Sequence, residues 1–122
     1  MSIVEDYNNQ VVDYLTATIL DTETESNIVD VGSIIIGQIY IPNTFIGKEI
    51  TYKVSYDGTN FFDAKNIDDE KLSIQNAITP TTILEGIYCI ASNDLNGIKK
   101  IKLISDTAQT SDCNIIILPR LK

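Results

Sequence analysis

Apolar and polar residues alternate without a slip through Ile50-Thr51-Tyr52-Lys53-Val54-Ser55-Tyr56, and the run stops at Asp57-Gly58. A period of two belongs to a strand with one buried face. It predicts Ile50, Tyr52, Val54 and Tyr56 on that face, with Lys53 and Ser55 outside. Asp-Gly tolerates the positive φ of a tight turn, so the chain is expected to double back into Phe61-Phe62-Asp63 as a β-hairpin. A two-residue turn pairs Tyr56 with Thr59, and a four-residue turn pairs Tyr56 with Phe61. A slip of one residue would swap the faces. Only one of the adjacent rings Phe61 and Phe62 can point inward on a regular strand. The other, taken as Phe62, is a candidate partner contact.

The same reading runs along the rest of the chain. Strands are predicted within Asp13 to Leu20, Ser33 to Ile41, Leu72 to Ile74, Gly86 to Ala91, Ile98 to Ser105 and Asn114 to Arg120. Pro42 ends the second of these by removing a ladder donor. Polar loops such as Asp21 to Asn27 and Asn66 to Lys71 separate them. No 3.6-residue period is sustained. Seven or eight short strands spaced by about 10–15 residues predict a β-sandwich or barrel. Ile34-Ile35-Ile36 and Ile115-Ile116-Ile117-Leu118 do not alternate, so they should be buried on both faces or lie at a subunit contact. Residues 1–12 are polar without a clear period and are expected to form a short helical turn or an extended arm.

The 122 residues suffice for one domain with its own core, and 43% hydrophobic content favours folding over disorder. A net charge of −8 argues against direct nucleic-acid binding, which needs a basic footprint. The charge is uneven. Residues 1–30 hold seven acids (Glu5, Asp6, Asp13, Asp21, Glu23, Glu25, Asp30) and no Lys or Arg. This asymmetry reads either as a solvated acidic end or as a docking segment. In the second case Ile3, Val4, Tyr7, Val11, Val12 and Tyr14 would bury against the partner. Neither apolar run is long enough to span a bilayer, so no membrane partner is expected. The start, Met1-Ser2-Ile3-Val4-Glu5-Asp6, lacks the basic and apolar segments of a signal peptide, which places synthesis in a cytoplasm.

The chemistry-bearing residues are few. Histidine is absent, which removes the commonest general base and metal ligand. Cys89, flanked by Tyr88 and Ile90, reads as a small hydrophobe, and a bridge to Cys113 stays open. Gly32-Ser33-Ile34-Ile35-Ile36-Gly37-Gln38 has the glycine spacing of a phosphate loop but lacks its Lys-Ser/Thr. Asp68-Asp69-Glu70 and the alternating Asp21, Glu23 and Glu25 offer oxygen ligands for Ca²⁺, yet neither matches an EF-hand loop. Nothing selects two of the seventeen acids as a glycosidase pair. The expectation is a protein with no catalytic residue, no metal and no cofactor.

The order of Gly37-Gln38-Ile39-Tyr40-Ile41-Pro42, the segment Thr51 to Ala64, the strand Gly97 to Ser105 and the terminal Pro119-Arg120-Leu121 resembles that of small β-sandwich virion proteins of tailed bacteriophages. The resemblance covers roughly residues 30–122 and is one of strands and turns. Sandwich-type carbohydrate-binding modules share much of it. It implies a non-enzymatic structural role, such as decorating the capsid shell, anchoring a head fibre, or building a tail or baseplate. The implied partners are the major capsid protein or other virion proteins. It also implies a homo-oligomer, a trimer where the subunit sits on local three-fold axes. The resulting expectation is a single antiparallel β-sandwich over residues 13–122, jelly-roll-like, preceded by the arm.

Overall fold

The computed structural model describes residues 3–5, 11–76, 81–91 and 95–120, with side chains from Tyr14 onward. The described residues are all strand, turn and loop. Two strands, β1 (Ile3–Glu5) and β2 (Val11–Asp13), form their own antiparallel ladder with Val4 opposite Val12. Ile3–Glu5 and Val11–Asp13 are thus extended rather than helical.

Nine further strands build two antiparallel sheets: β3 (Leu15–Ile19), β4 (Val29–Asp30), β5 (Ile36–Ile41), β6 (Glu49–Ser55), β7 (Phe62–Asp63), β8 (Ser73–Gln75), β9 (Gly86–Cys89), β10 (Lys100–Ser105) and β11 (Cys113–Pro119). One sheet has the order β3-β11-β5-β9. The other runs β4-β10-β6-β7, with β8 also pairing β6. The chain changes sheet at β3 to β4, β4 to β5, β5 to β6, β8 to β9, β9 to β10 and β10 to β11. This wrapped order is that of a jelly roll.

Alternation explains the core. β10 buries Ile101, Leu103 and Ser105, and β11 buries Cys113, Ile115 and Ile117. They meet Ile39 and Ile41 of β5, Ile50 and Tyr52 of β6, and Ala17 and Ile19 of β3 in one continuous cluster. Such a core draws on the hydrophobic effect at roughly 25 cal/mol per Å² of apolar surface removed from water.

Gly37 marks a close approach between neighbouring strands of one sheet. A Cβ there would lie 2.8 Å from Cα and 3.0 Å from N of Arg120, so the β5 start and the β11 end can pass only without a side chain. Arg120 N donates to Ile35 O at 2.7 Å and Ile90 N donates to Gly37 O at 3.0 Å, which pins both flanks. Gly37→Ala is therefore expected to cost about 1–3 kcal/mol through overpacking. Denaturant midpoints of the two proteins check this, with an unchanged m-value.

The hairpin departs from its predicted form. Val54 pairs with Phe62 and Lys53 with Asp63, so residues 56–61 link β6 to β7 and neither expected turn register occurs. Tyr52 is buried and Val54 half-buried against the core, as alternation requires. Tyr56 lies beyond the ladder and is 69% exposed, and Ser55 is fully buried. The cause is Asp57. Its carboxylate accepts from Thr59 N at 2.8 Å, Asn60 N at 2.9 Å and Ser55 Oγ at 3.0 Å, while Ser55 Oγ accepts from Gly58 N at 2.8 Å. Gly58 takes φ +87 to close the loop over Ser55. An alternation argument cannot see a side chain that folds its own turn back over the strand end.

Those donors stabilise the ionised form and hold the Asp57 carboxyl well below the usual carboxylate range; the two backbone N–H groups contribute most. A folded-state pKa below the unfolded one gives stabilisation that is full above about pH 4 and lost as pH falls through the folded value. Thermal melts at several pH values should thus show Asp57→Asn less stable than the parent near neutrality. The gap should narrow in acid. A constant gap would assign the effect to packing.

Candidate functional site

The two sheets present opposite kinds of outer surface. On the β4-β10-β6-β7 sheet, register sets Lys100 beside Asp30, Lys102 beside Lys53, and Lys53 beside Asp63. Two like charges directly opposite would be unfavourable. Lys102 relieves this by pairing with Glu25 at 3.2 Å and resting its Nζ 5.1 Å from the centroid of Phe61. This face is charged, mixed in sign and internally compensated.

The outer face of the β3-β11-β5-β9 sheet carries no charged side chain within its strands. Thr16 and Thr18 come from β3, and Asn114, Ile116 and Leu118 from β11. Gln38 and Tyr40 come from β5, and Ile87 and Cys89 from β9. The ladder aligns them in rows: Thr16–Ile116–Tyr40–Ile87 and Leu118–Gln38–Cys89. Ile116 stands at the centre of the longer row. Ile87 is 58% exposed at its end. Polar members pair within the face: Thr18 Oγ1 donates to Asn114 Oδ1 at 2.8 Å, and Tyr40 donates its hydroxyl to Glu85, which lies just outside the strands. That bond raises the Tyr40 pKa, because the carboxylate accepts the phenolic proton and opposes its loss. At one end Gly37, Gln38, Cys89, Ile90, Leu118, Pro119 and Arg120 line a depression of about 380 Å³. Arg120 Nη2 donates to Ile90 O at 3.1 Å across it.

Charged residues make up 21% of the chain, and on this face they stand only at the border, as Glu85 and Arg120. Exposed charge is what keeps protein surfaces apart, and interface cores are depleted in it. The face is chemically suited to burial against protein.

The expected partner contacts distribute differently. The side chains of Ile3, Val4, Val11 and Val12, and all of Tyr7, lie outside the described residues. Tyr14 is half-buried just before β3. Phe62 is 59% exposed, but it lies on β7 of the other sheet, so Tyr14 and Phe62 do not share a surface. The face itself was signalled in the sequence by Ile115-Ile116-Ile117-Leu118. Its odd members fill the core, while Ile116 and Leu118 face outward, half-buried. Cys89 is exposed on the outer face instead of acting as a core hydrophobe. Cys113 is buried and both thiols are free. Burial pushes the Cys113 thiol pKa up, against a smaller opposing effect of its hydrogen bond to Thr44.

Among the described residues no group of three or more Cys, Asp or Glu side chains is placed to hold a metal ion. Comparison of the chain with protein-family models, with curated proteins and with solved structures gives no match.

Proposed function

We propose that this protein is a non-enzymatic structural subunit that works by burying the outer face of its β3-β11-β5-β9 sheet against another protein, and that it serves as an auxiliary component of a tailed-bacteriophage virion. The observation that carries the docking reading is the absence of charge from that face in a chain of net charge −8. The virion reading rests on the pattern resemblance over residues 30–122. The jelly-roll topology is compatible with it, as the architecture recurs in capsid and lectin domains, although a fold alone does not fix a function.

Division of labour follows from charge. The acids of residues 1–30 other than Glu25 and Asp30, which lie beside Lys102 and Lys100, create a field that speeds encounter with a basic surface, and the uncharged face supplies the lasting contact. Removing residues 1–12 leaves both sheets of the sandwich complete, because among the described residues β1 and β2 pair only with each other. The truncated chain is expected to fold normally and to dock more slowly and more weakly.

The test is compositional. Purified particles should contain the chain at a fixed copy number, and high salt should slow its addition more than it strips chain already bound. A chain found only outside particles would overturn the virion reading. The competing glycan-binding reading draws on Tyr56, 69% exposed, and Phe62, 59% exposed, at the same hairpin. A glycan array answered by a loss on Tyr56→Ala would favour it.

A further inference from the structure

Most edge strands are blunted by charge or cover; among the described residues β8 (Ser73–Gln75), which pairs only with β6, and β9 carry no charged side chain, and β8 is the shorter at three residues. β4 ends in Asp30, whose carboxylate accepts from Gly32 N at 3.0 Å. β7 carries Asp63, which pairs with Lys71 at 3.5 Å. The outer edge of β3 is covered by Asn27: its Oδ1 accepts from Thr18 N at 2.8 Å, and its own N donates to Thr18 O at 3.2 Å. β9 differs. Gly86-Ile87-Tyr88-Cys89 holds no charge and no proline and, among the described residues, pairs on one side only, with β5. Charge, proline and cover are the usual means of keeping an edge from pairing with another chain.

We infer that β9 pairs with β9 of a second copy of this chain, antiparallel about a two-fold axis, joining two four-stranded sheets into one of eight. Charge selects the occupant. Two copies of a chain of net charge −8 repel unless they meet along an uncharged line, and self-pairing at β4 or β7 would bring aspartates together. An antiparallel strand pair is also self-complementary, as a two-fold contact must be.

The hydrogen-bond phase fixes the register. Ile90 N donates inward to Gly37 O at 3.0 Å. Alternation then turns the N–H and C=O groups of Ile87 and Cys89 away from β5. These groups face outward along the edge, where a second copy can offer the same groups in return. Setting Ile87 opposite Cys89 of the second copy uses all of them and places Tyr88 on the axis. The same setting puts Glu85 opposite Ala91, so the flanking acids do not confront each other. Ile87 and Cys89 both lie on the outer face, so the uncharged surface runs on unbroken across the two copies.

The test uses the full-length chain. Analytical ultracentrifugation should give twice the 13.5 kDa chain mass. Ile87→Lys, at a position 58% exposed, should raise the dissociation constant about tenfold or more without lowering the melting temperature. Ile87→Cys supplies an independent arm. Residues directly opposite in such a pair have Cα atoms about 5.5 Å apart, within disulfide range. Under mild oxidation this variant should form a covalent dimer through Cys89 of the second copy, and Ile87→Cys/Cys89→Ser should form none by that route. A monomeric or trimeric parent chain, or a dimer untouched by Ile87→Lys, would overturn the inference. Particle docking can fail with this dimer intact, so the two readings are separable.

Discussion

Truncating Tyr52 to alanine is expected to lower the stability of the protein by about 3–5 kcal/mol, a large share of what a domain of this size possesses. Tyr52 is only 3% exposed and lies opposite Leu103 at the middle of the β6–β10 ladder. Its neighbours in the core are aliphatic side chains held in both sheets. Little can collapse into the space, because β6 also carries β7 and β8 on its other side. The loss therefore combines the transfer term of a large ring with an unfilled cavity. Chemical denaturation read by circular dichroism gives the number. A loss below about 1 kcal/mol would mean that the site repacks, which close-packed interiors seldom allow. Tyr56→Ala provides the contrast: only four residues along the same predicted face, but 69% exposed, it should be nearly neutral.

The second large effect concerns docking. Replacing Ile116 with lysine puts a charge at the centre of the uncharged face, between Thr16 and Tyr40. Ile116 faces outward, so the fold should survive with a similar melting temperature. Affinity for the partner should fall by about a hundredfold or more. An unpaired charge taken out of water at the centre of an interface is costly, and central apolar positions carry most of the energy of such contacts. Lys53→Ala and Lys100→Ala, on the other sheet, should leave affinity within about twofold. Titration of each variant against assembled particles, with the folded fraction checked beforehand, separates these outcomes.

Much of the fold was legible in the residue pattern. Strict alternation from Ile50 to Ser55 gave β6 its period, and the short apolar segments between polar loops marked most other strands. The pattern failed where tertiary structure supplies the reason. Ser55 is buried by its bonds to the turn after it, not by its parity. β4 has two residues and carries no periodic signal, whereas the equally short β7 was reached only through the turn residues before it. Cys89 looks apolar in sequence because its neighbours are, but β9 is an edge strand and shows that side to solvent.

The site was half legible. Ile115-Ile116-Ile117-Leu118 announced two apolar faces on one strand, which was enough to suggest a contact. The rest of the face is assembled from β3, β5 and β9, residues far apart in the chain. No single segment of it stands out, because Thr16, Gln38 and Ile87 are each ordinary surface residues. What distinguishes them is the charge missing from the rows that the ladder makes of them. Acidity at the chain start, by contrast, was conspicuous in sequence.

The most direct measurement is side-chain footprinting of the protein free and bound to its partner, read residue by residue. Burial of the uncharged sheet face predicts protection of Tyr40, Ile87, Ile116 and Leu118 on binding, with Lys53, Lys100 and Lys102 as reactive as before. Protection of the lysine-bearing face, with Tyr40 and Ile116 unchanged, would contradict it.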